Sequence, residues 1–289
     1  MSGGLGNQLF RYFGALNFSM TVEQDLEVNV SSLVLHNPRY NQSTKRDLEL
    51  GSYSKFLDSV TITEPHTKLI PRWTKYAESL PPLVSANLGL LNDENFEAKR
   101  FWQSKTYATG DFQNLKYLPK DQIILDFFDS LDSQSAWLGD QINKAKELNP
   151  MFIHLRLTDF KRFPEIYPIP SVRYYSEGIE HLRSLLGSKE IWLFSDDQES
   201  AIKYFGKISD EFLFPEIPRD AKPSEVLELM SHGSGIVMGN STFSWWAAYL
   251  SKLRNPNVKI VMPNRFTSID KLEDSKLNIP GSYTLPIDS

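Results

Sequence analysis

Three short stretches in the second half of this chain put polar residues at the ends of apolar runs. The first is His154-Leu155-Arg156-Leu157-Thr158-Asp159, which follows Met151-Phe152-Ile153. In an extended register His154 and Arg156 share a face, because side chains two apart point the same way. A guanidinium makes paired, charge-assisted bonds to phosphate oxygens, so Arg156 is suited to a diphosphate. Asp159 lies just beyond the run, where a carboxylate could take a proton from a sugar hydroxyl. Glu165, in a proline-flanked loop, is the alternative base. A plainer reading pairs Arg156 with Asp159 structurally and makes His154 a hydrogen-bonded core residue.

The second stretch is Phe194-Ser195-Asp196-Asp197. Adjacent carboxylates after a strand suit three uses: oxygen ligation of Mg²⁺, acceptance of two N–H bonds from the edge of guanine, or capping of the next helix. The third runs from Gly239-Asn240-Ser241-Thr242 into Phe243-Ser244-Trp245-Trp246. There Ser241 or Thr242 can cap a helix whose first turn presents amides and a dipole that favours an anion. An ordinary capped helix packing two tryptophans fits the same pattern. Near the N-terminus Gly3-Gly4-Leu5-Gly6-Asn7-Gln8 opens a helical pattern through Leu9, Phe10, Phe13, Leu16 and Met20. Such a turn can bring amides to a phosphate, but it normally follows a strand. Only two residues precede these glycines, so the start reads as truncated, or else as a flexible end.

Elements that position these residues follow from the spacing. Strands are expected at 26–30, 151–155, 190–194, 211–214, 236–239 and 258–262. Helices are expected at 171–186, 197–205, 223–232 and 242–252, and helical spacing also runs over 121–148. Residues 110–118 read as a loop followed by a helix start. Strands alternating with helices after Asn149-Pro150 predict βαβ units and a parallel sheet, whose ligands bind at the carboxyl ends of the strands. The domain boundary is placed there, giving 1–149 and 150–289.

Composition narrows the function classes. Hydrophobic residues make up 40% and charged residues 23% of the 289, which is ordinary globular material. A net charge of -5 argues against nucleic acid or an anionic membrane as the main partner. The chain has no cysteine, which excludes disulfides, thiolate metal sites and Cys nucleophiles. No apolar run approaches the roughly 20 residues of a membrane helix, and no signal peptide is visible. A cytoplasmic protein is the expectation. Neither a G-x-S-x-G elbow nor an H-E-x-x-H zinc pattern occurs.

Taken together, Gly3-Gly4-Leu5-Gly6-Asn7-Gln8-Leu9-Phe10, Gly110-Asp111-Phe112-Gln113, His154-Leu155-Arg156, Phe194-Ser195-Asp196-Asp197 and Asn240-Ser241-Thr242-Phe243-Ser244-Trp245-Trp246 follow the motif order of the α-1,2-fucosyltransferases. The chain resembles a glycosyltransferase family 11 member over nearly its whole length. The resemblance implies an α/β fold of GT-B type: two Rossmann-like domains, an acceptor-side N-terminal one and a C-terminal one whose parallel sheet binds the donor. It implies GDP-fucose as donor, a glycan acceptor, inversion at the anomeric carbon and neither metal nor cofactor. Arg156 then holds the diphosphate. Asp197, or failing that Asp196, contacts guanine. Gly4, Gly6, Asn7, His154, Asn240, Ser241, Thr242, Ser244 and Trp245 complete the donor site. Asp111 and Gln113 fall on the acceptor side, and Trp246 packs in the core.

Two positions depart from the family's usual His-x-Arg-Arg-Gly-Asp-Tyr. Leu157 stands for the second arginine, removing a positive charge, and Thr158 stands for the glycine. On this reading diphosphate leaves as the acceptor hydroxyl attacks from the opposite face, with Arg156 and the helix start stabilising the departing charge and Asp159 as base. Two rivals stand beside it: a GT-B transferase using another nucleotide sugar, prompted by Leu157, and a non-catalytic glycan-binding scaffold.

Overall fold

The computed structural model describes residues 3–30, 33, 47–63, 80–96, 106–132, 135–158, 160–268 and 274–288. The chain forms two compact units, Met1–Asp132 and Ser133–Ser289.

The first unit is built on helix α1 (Leu5–Val22), which buries Leu5, Leu9, Phe10, Tyr12 and Phe13. Strand β1 (Leu26–Asn29) pairs in parallel with β2 (Val60–Thr63), which follows helix α2 (Ser54–Ser59). Helix α3 (Pro82–Asn87) leads into β3 (Leu90–Leu91), which pairs in parallel with β4 (Tyr107–Ala108). Helix α4 (Asp121–Phe128) completes an aromatic core: Tyr53 stacks on Phe127 at 4.5 Å, and Tyr12, Phe13 and Phe56 pack around them. The helical spacing over 121–148 resolves into two helices. Past Phe128 the chain turns to pair with another segment: Leu131 bridges Tyr53, and the Asp132 amide donates to the Ser52 carbonyl at 2.8 Å. Helix α5 (Ala136–Leu148) restarts under a Ser135 cap and belongs to the second unit.

The second unit is a parallel sheet with the strand order and elements of a doubly wound fold. Its strands are β5 (Met151–Leu155), β6 (Ile191–Ser195), β7 (Phe212–Leu213), β8 (Gly235–Val237), β9 (Lys259–Pro263) and β10 (Tyr283–Leu285), in the order β10-β9-β8-β5-β6-β7. All neighbouring pairs run parallel. Helices α6 (Val172–Leu186), α7 (Gln198–Phe205), α8 (Pro223–Met230) and α9 (Thr242–Arg254) connect them. Every residue of β5 is buried, as a strand covered on both faces requires. Helix α6 lies close to the sheet because it carries Gly178: a Cβ there would stand 2.9 Å from Val237. Strand β10 lacked an apolar alternation strong enough to read; it forms on the free edge of β9. No helix among the described residues is long and apolar enough to cross a membrane.

Candidate functional site at the carboxyl ends of the sheet

From β5 the chain winds outward to β6 and β7, then returns past β5 to β8 and continues to β9. The direction of winding therefore reverses between β5 and β8. In open α/β sheets the crevice outside the carboxyl ends at such a reversal is where ligands bind. Helix α6 fixes the two strand ends there. Its Tyr174 hydroxyl donates to the Met238 carbonyl at 2.6 Å, and its Tyr175 hydroxyl to the His154 carbonyl at 3.0 Å. Burial pushes both phenols well above the ordinary tyrosine value, so both stay O–H donors. Neither tyrosine stood out in the sequence, because spacing along a helix does not reveal a hydroxyl's partner. The backbones also approach closely: a Cβ on Gly239 would lie 2.8 Å from the His154 carbonyl oxygen.

His154 is buried beside the start of α9, its ring 5.5 Å from that of Phe243. Burial first, and the Arg156 charge second, pull its pKa down to about 4 against the opposing pull of Asp196. The imidazole is neutral near pH 7. Its Nδ1 is buried and has no hydrogen-bond partner among the described residues, and a buried polar atom left unpaired is costly.

Arg156 follows, half-buried. Leu157 then turns inward and joins the apolar core with Ile153, Leu155 and Leu193. The residue that stands for the family's second arginine is thus a core residue here. Asp159 lies outside the described residues. Glu165 lies in the turn that follows.

The two aspartates after β6 divide their work. The Asp196 carboxylate accepts the Leu157 amide at 2.8 Å, the Thr158 amide at 3.3 Å and the Thr158 hydroxyl. Asp197 is the N-cap of α7, accepting the Ser200 amide at 2.9 Å. Hydrogen bonds from the Ser200 side chain first and its amide second, with lesser help from Lys161 and Lys203, hold the Asp197 carboxyl below the usual carboxylate range. Its second oxygen faces Lys161 at 3.8 Å. Among the described residues no three His, Asp or Glu side chains converge in a metal-ligand cluster.

The start of α9 assembles itself. Ser241 caps the helix by accepting the Ser244 amide at 3.1 Å, and the Ser244 hydroxyl accepts the Gly239 amide at 3.0 Å. Asn240, also buried, donates to the carbonyls of Pro168 at 2.6 Å and Phe266 at 3.1 Å. The amides of Thr242 and Phe243 precede the helical ladder by position. Trp245 departs from expectation. It is fully buried with Trp246, its indole N–H donates to the Leu277 carbonyl at 2.6 Å, and its amide opens the helical ladder on Ser241. Neither its ring nor its amide is left for a donor. Ser244 and Asn240 likewise shape the site from behind.

The first unit holds the remaining expected residues. Gly4 is the N-cap of α1 and Gly6 lies within its first turn. Gly3 has a φ of 78, the left-handed region that favours glycine. The turn is organised by buried Gln8, whose amide donates to the Gly3 and Asp47 carbonyls at 2.9 Å. The Leu5 amide at the helix start is taken by the Glu49 carboxylate at 3.0 Å, so a protein anion occupies the position offered to a phosphate. Asn7 and Gln113 come together, the Gln113 amide donating to Asn7 at 3.4 Å, and Asp111 pairs with Arg11. The 110–113 turn is held by Asp93, which accepts the Asp111 amide at 2.9 Å. Burial pushes the Asp93 carboxyl up, against the pull of the Asp111 and Phe112 amides. Gly110 leaves room for it, since a Cβ would stand 2.7 Å from the Asp93 carboxylate. Phe112 sits at a φ of 53. Arg11 and Asp93 carried no motif and were not legible beforehand.

An open parallel sheet with an arginine, a buried histidine and a capped helix start at its winding reversal has the features of an anion-binding crevice. Comparison with known proteins makes the class specific. The model of glycosyl transferase family 11 matches residues 83–278, more than half of the chain, and the protein belongs to that family. It is similar to the O-antigen biosynthesis glycosyltransferase WbnK of Escherichia coli, 25% identical over 292 residues, with 92% of each chain covered. It is also similar to an alpha-1,2-colitosyltransferase of Escherichia coli, 26% identical over 269 residues, with 86% of each covered. Among solved structures, POFUT1 in complex with GDP-fucose aligns at 13% identity and a TM-score of 0.44, covering 87% of this chain and 92% of that one.

Proposed function

We propose that this glycosyltransferase moves L-fucose from GDP-fucose to a glycan hydroxyl, the O2 of a galactoside, with inversion at the anomeric carbon, on a GT-B architecture and without a metal cofactor. The acceptor oxygen forms the new bond to the anomeric carbon as the bond to the β-phosphate oxygen breaks. GDP carries away the electron pair, and the acceptor proton passes to Asp159 or Glu165. Arg156 and the first amides of α9 meet the charge that grows on the departing diphosphate. Asp197 keeps an oxygen available for guanine while it caps α7.

The observation that supports this reading is the meeting of His154, near the end of β5, with the Ser241-capped helix that follows β8, Arg156 being the first residue beyond that strand. The test combines the protein with GDP-fucose and methyl β-D-galactoside and determines the product linkage by NMR. A 2-linked α-fucoside is the expected product; an unconsumed donor would count against the assignment. Arg156→Ala should lower turnover at least tenfold, since a charge-assisted contact is worth about 1.5–3 kcal/mol. Activity should persist in EDTA; a loss restored by Mg²⁺ would revive the metal reading of the aspartates.

A second reading keeps the mechanism and changes the sugar. One relative is a colitosyltransferase, so colitose is the sugar to set against fucose. Thermal shift with GDP, UDP and CDP sugars tests this, and stabilisation by GDP sugars other than GDP-fucose would favour it.

A further inference from the structure

We infer that Leu157, Thr158 and Asp196 form a clamp that sets the position of Arg156, and that Thr158 and Asp196 are positioning residues for glycosyl transfer. The inference rests on the reading of Arg156 as the diphosphate ligand. Arg156 is the first residue beyond β5, where the strand pairing ends at Leu155 opposite Ser195. Its side chain is long and rotamer-rich, and ordering such a side chain on binding costs entropy. Here the chain is anchored again at once. Leu157 packs its side chain into the core, and its amide reaches Asp196 at 2.8 Å. Thr158 adds two more donors to the same carboxylate. Arg156 is therefore held between the last ladder pair on one side and a doubly anchored dipeptide on the other.

Both departures from the family pattern serve this clamp. A glycine at 158 would offer its amide alone, without the hydroxyl. An arginine at 157 would place a charge where Leu157 contacts apolar residues, at a steep desolvation cost. The charges of Arg156 and Asp196 both act on the His154 ring, in opposite directions. Asp196 has both carboxylate oxygens engaged by the dipeptide that follows Arg156.

The test uses the full-length protein and calorimetric titration with GDP. Thr158→Val is close to isosteric and removes only the hydroxyl, and the exposed position tolerates the change. It should weaken GDP binding about tenfold, the scale of a hydrogen bond to a charged group, and lower kcat with GDP-fucose. Thr158→Ser restores the hydroxyl and should stay within about twofold of wild type. In an Arg156→Ala background, Thr158→Val should have no further effect, because the hydroxyl acts through the arginine. GDP affinity unchanged by Thr158→Val, or a loss of equal size in both backgrounds, would overturn the clamp while leaving the donor assignment intact. A wild-type protein that binds no GDP would overturn the donor assignment, and the clamp's role with it.

Discussion

His154 carries a pH signature that belongs to a single residue. An unfolded histidine titrates near 6.5, whereas burial in the fold holds His154 at about 4. Between those values the unfolded chain binds a proton that the folded chain does not. Stability therefore rises with pH across that window, is fully present above it and falls as the solution is acidified through it. A gap of this size amounts to on the order of 3 kcal/mol. Arg156 and Asp196 are the charged neighbours that act on the ring. Denaturant unfolding between pH 4 and 7 should show a steeper loss for wild type than for His154→Gln, which keeps polarity and removes the titration. Parallel stability profiles for the two proteins would show that the imidazole is not held neutral.

At the scale of elements, the start of α9 is the part most exposed to small changes. Gly239 separates β8 from the cap, and a methyl group there would meet the backbone carbonyl of His154 at 2.8 Å. Backbone cannot yield as a side-chain tip does, so Gly239→Ala should push the β5 and β8 ends apart. A cost of about 1–3 kcal/mol is expected, as for overpacking, with a larger proportional loss of GDP affinity than of thermal stability. Equal affinity in the variant would mean that the strand ends need not approach. Five of the six strands of the large sheet and its helices were legible because each of those strands is a short apolar run closed by turn residues and each helix repeats at its own period; β10 offered no such run. The roles within the site were less legible. Asp196 and Asp197 are the same residue type side by side, and only the tertiary positions of Thr158 and Ser200 assign one to a clamp and the other to a cap. Trp245 was expected at the donor from the motif and its place in the first helical turn, neither of which reveals that its ring is fully buried and its indole N–H donates to the Leu277 carbonyl.

Over the whole molecule, the residues proposed to hold the nucleotide through β5, β6 and α9 all fall in the unit Ser133–Ser289, and Asp111 and Gln113 fall in Met1–Asp132. Each unit builds its portion from its own contacts, so substitutions in one should separate donor effects from acceptor effects. Asp93 gives the cleanest test. Its carboxylate holds the amides of Asp111 and Phe112, and Phe112 occupies a φ of 53 that a bulky residue adopts only under constraint. Asp93→Ala removes that constraint and leaves two amides without their acceptor. Phe112 should relax, and Asp111 and Gln113 should lose their fixed placement. The expected stability cost is about 1 kcal/mol, the scale of a lost hydrogen bond, since the Asp111 amide is exposed and of the two residues only Phe112 is buried. GDP affinity measured by calorimetry should remain within about twofold of wild type, since the nucleotide residues on β5, β6 and α9 fall in the other unit and only Asn7, through Gln113, is linked to the turn. The KM for methyl β-D-galactoside, from initial rates at saturating GDP-fucose, should rise several-fold. A drop in GDP affinity matching the rise in acceptor KM would mean that the two ligands do not divide between the units as assigned. An unchanged acceptor KM would instead remove the 110–113 turn from the acceptor side.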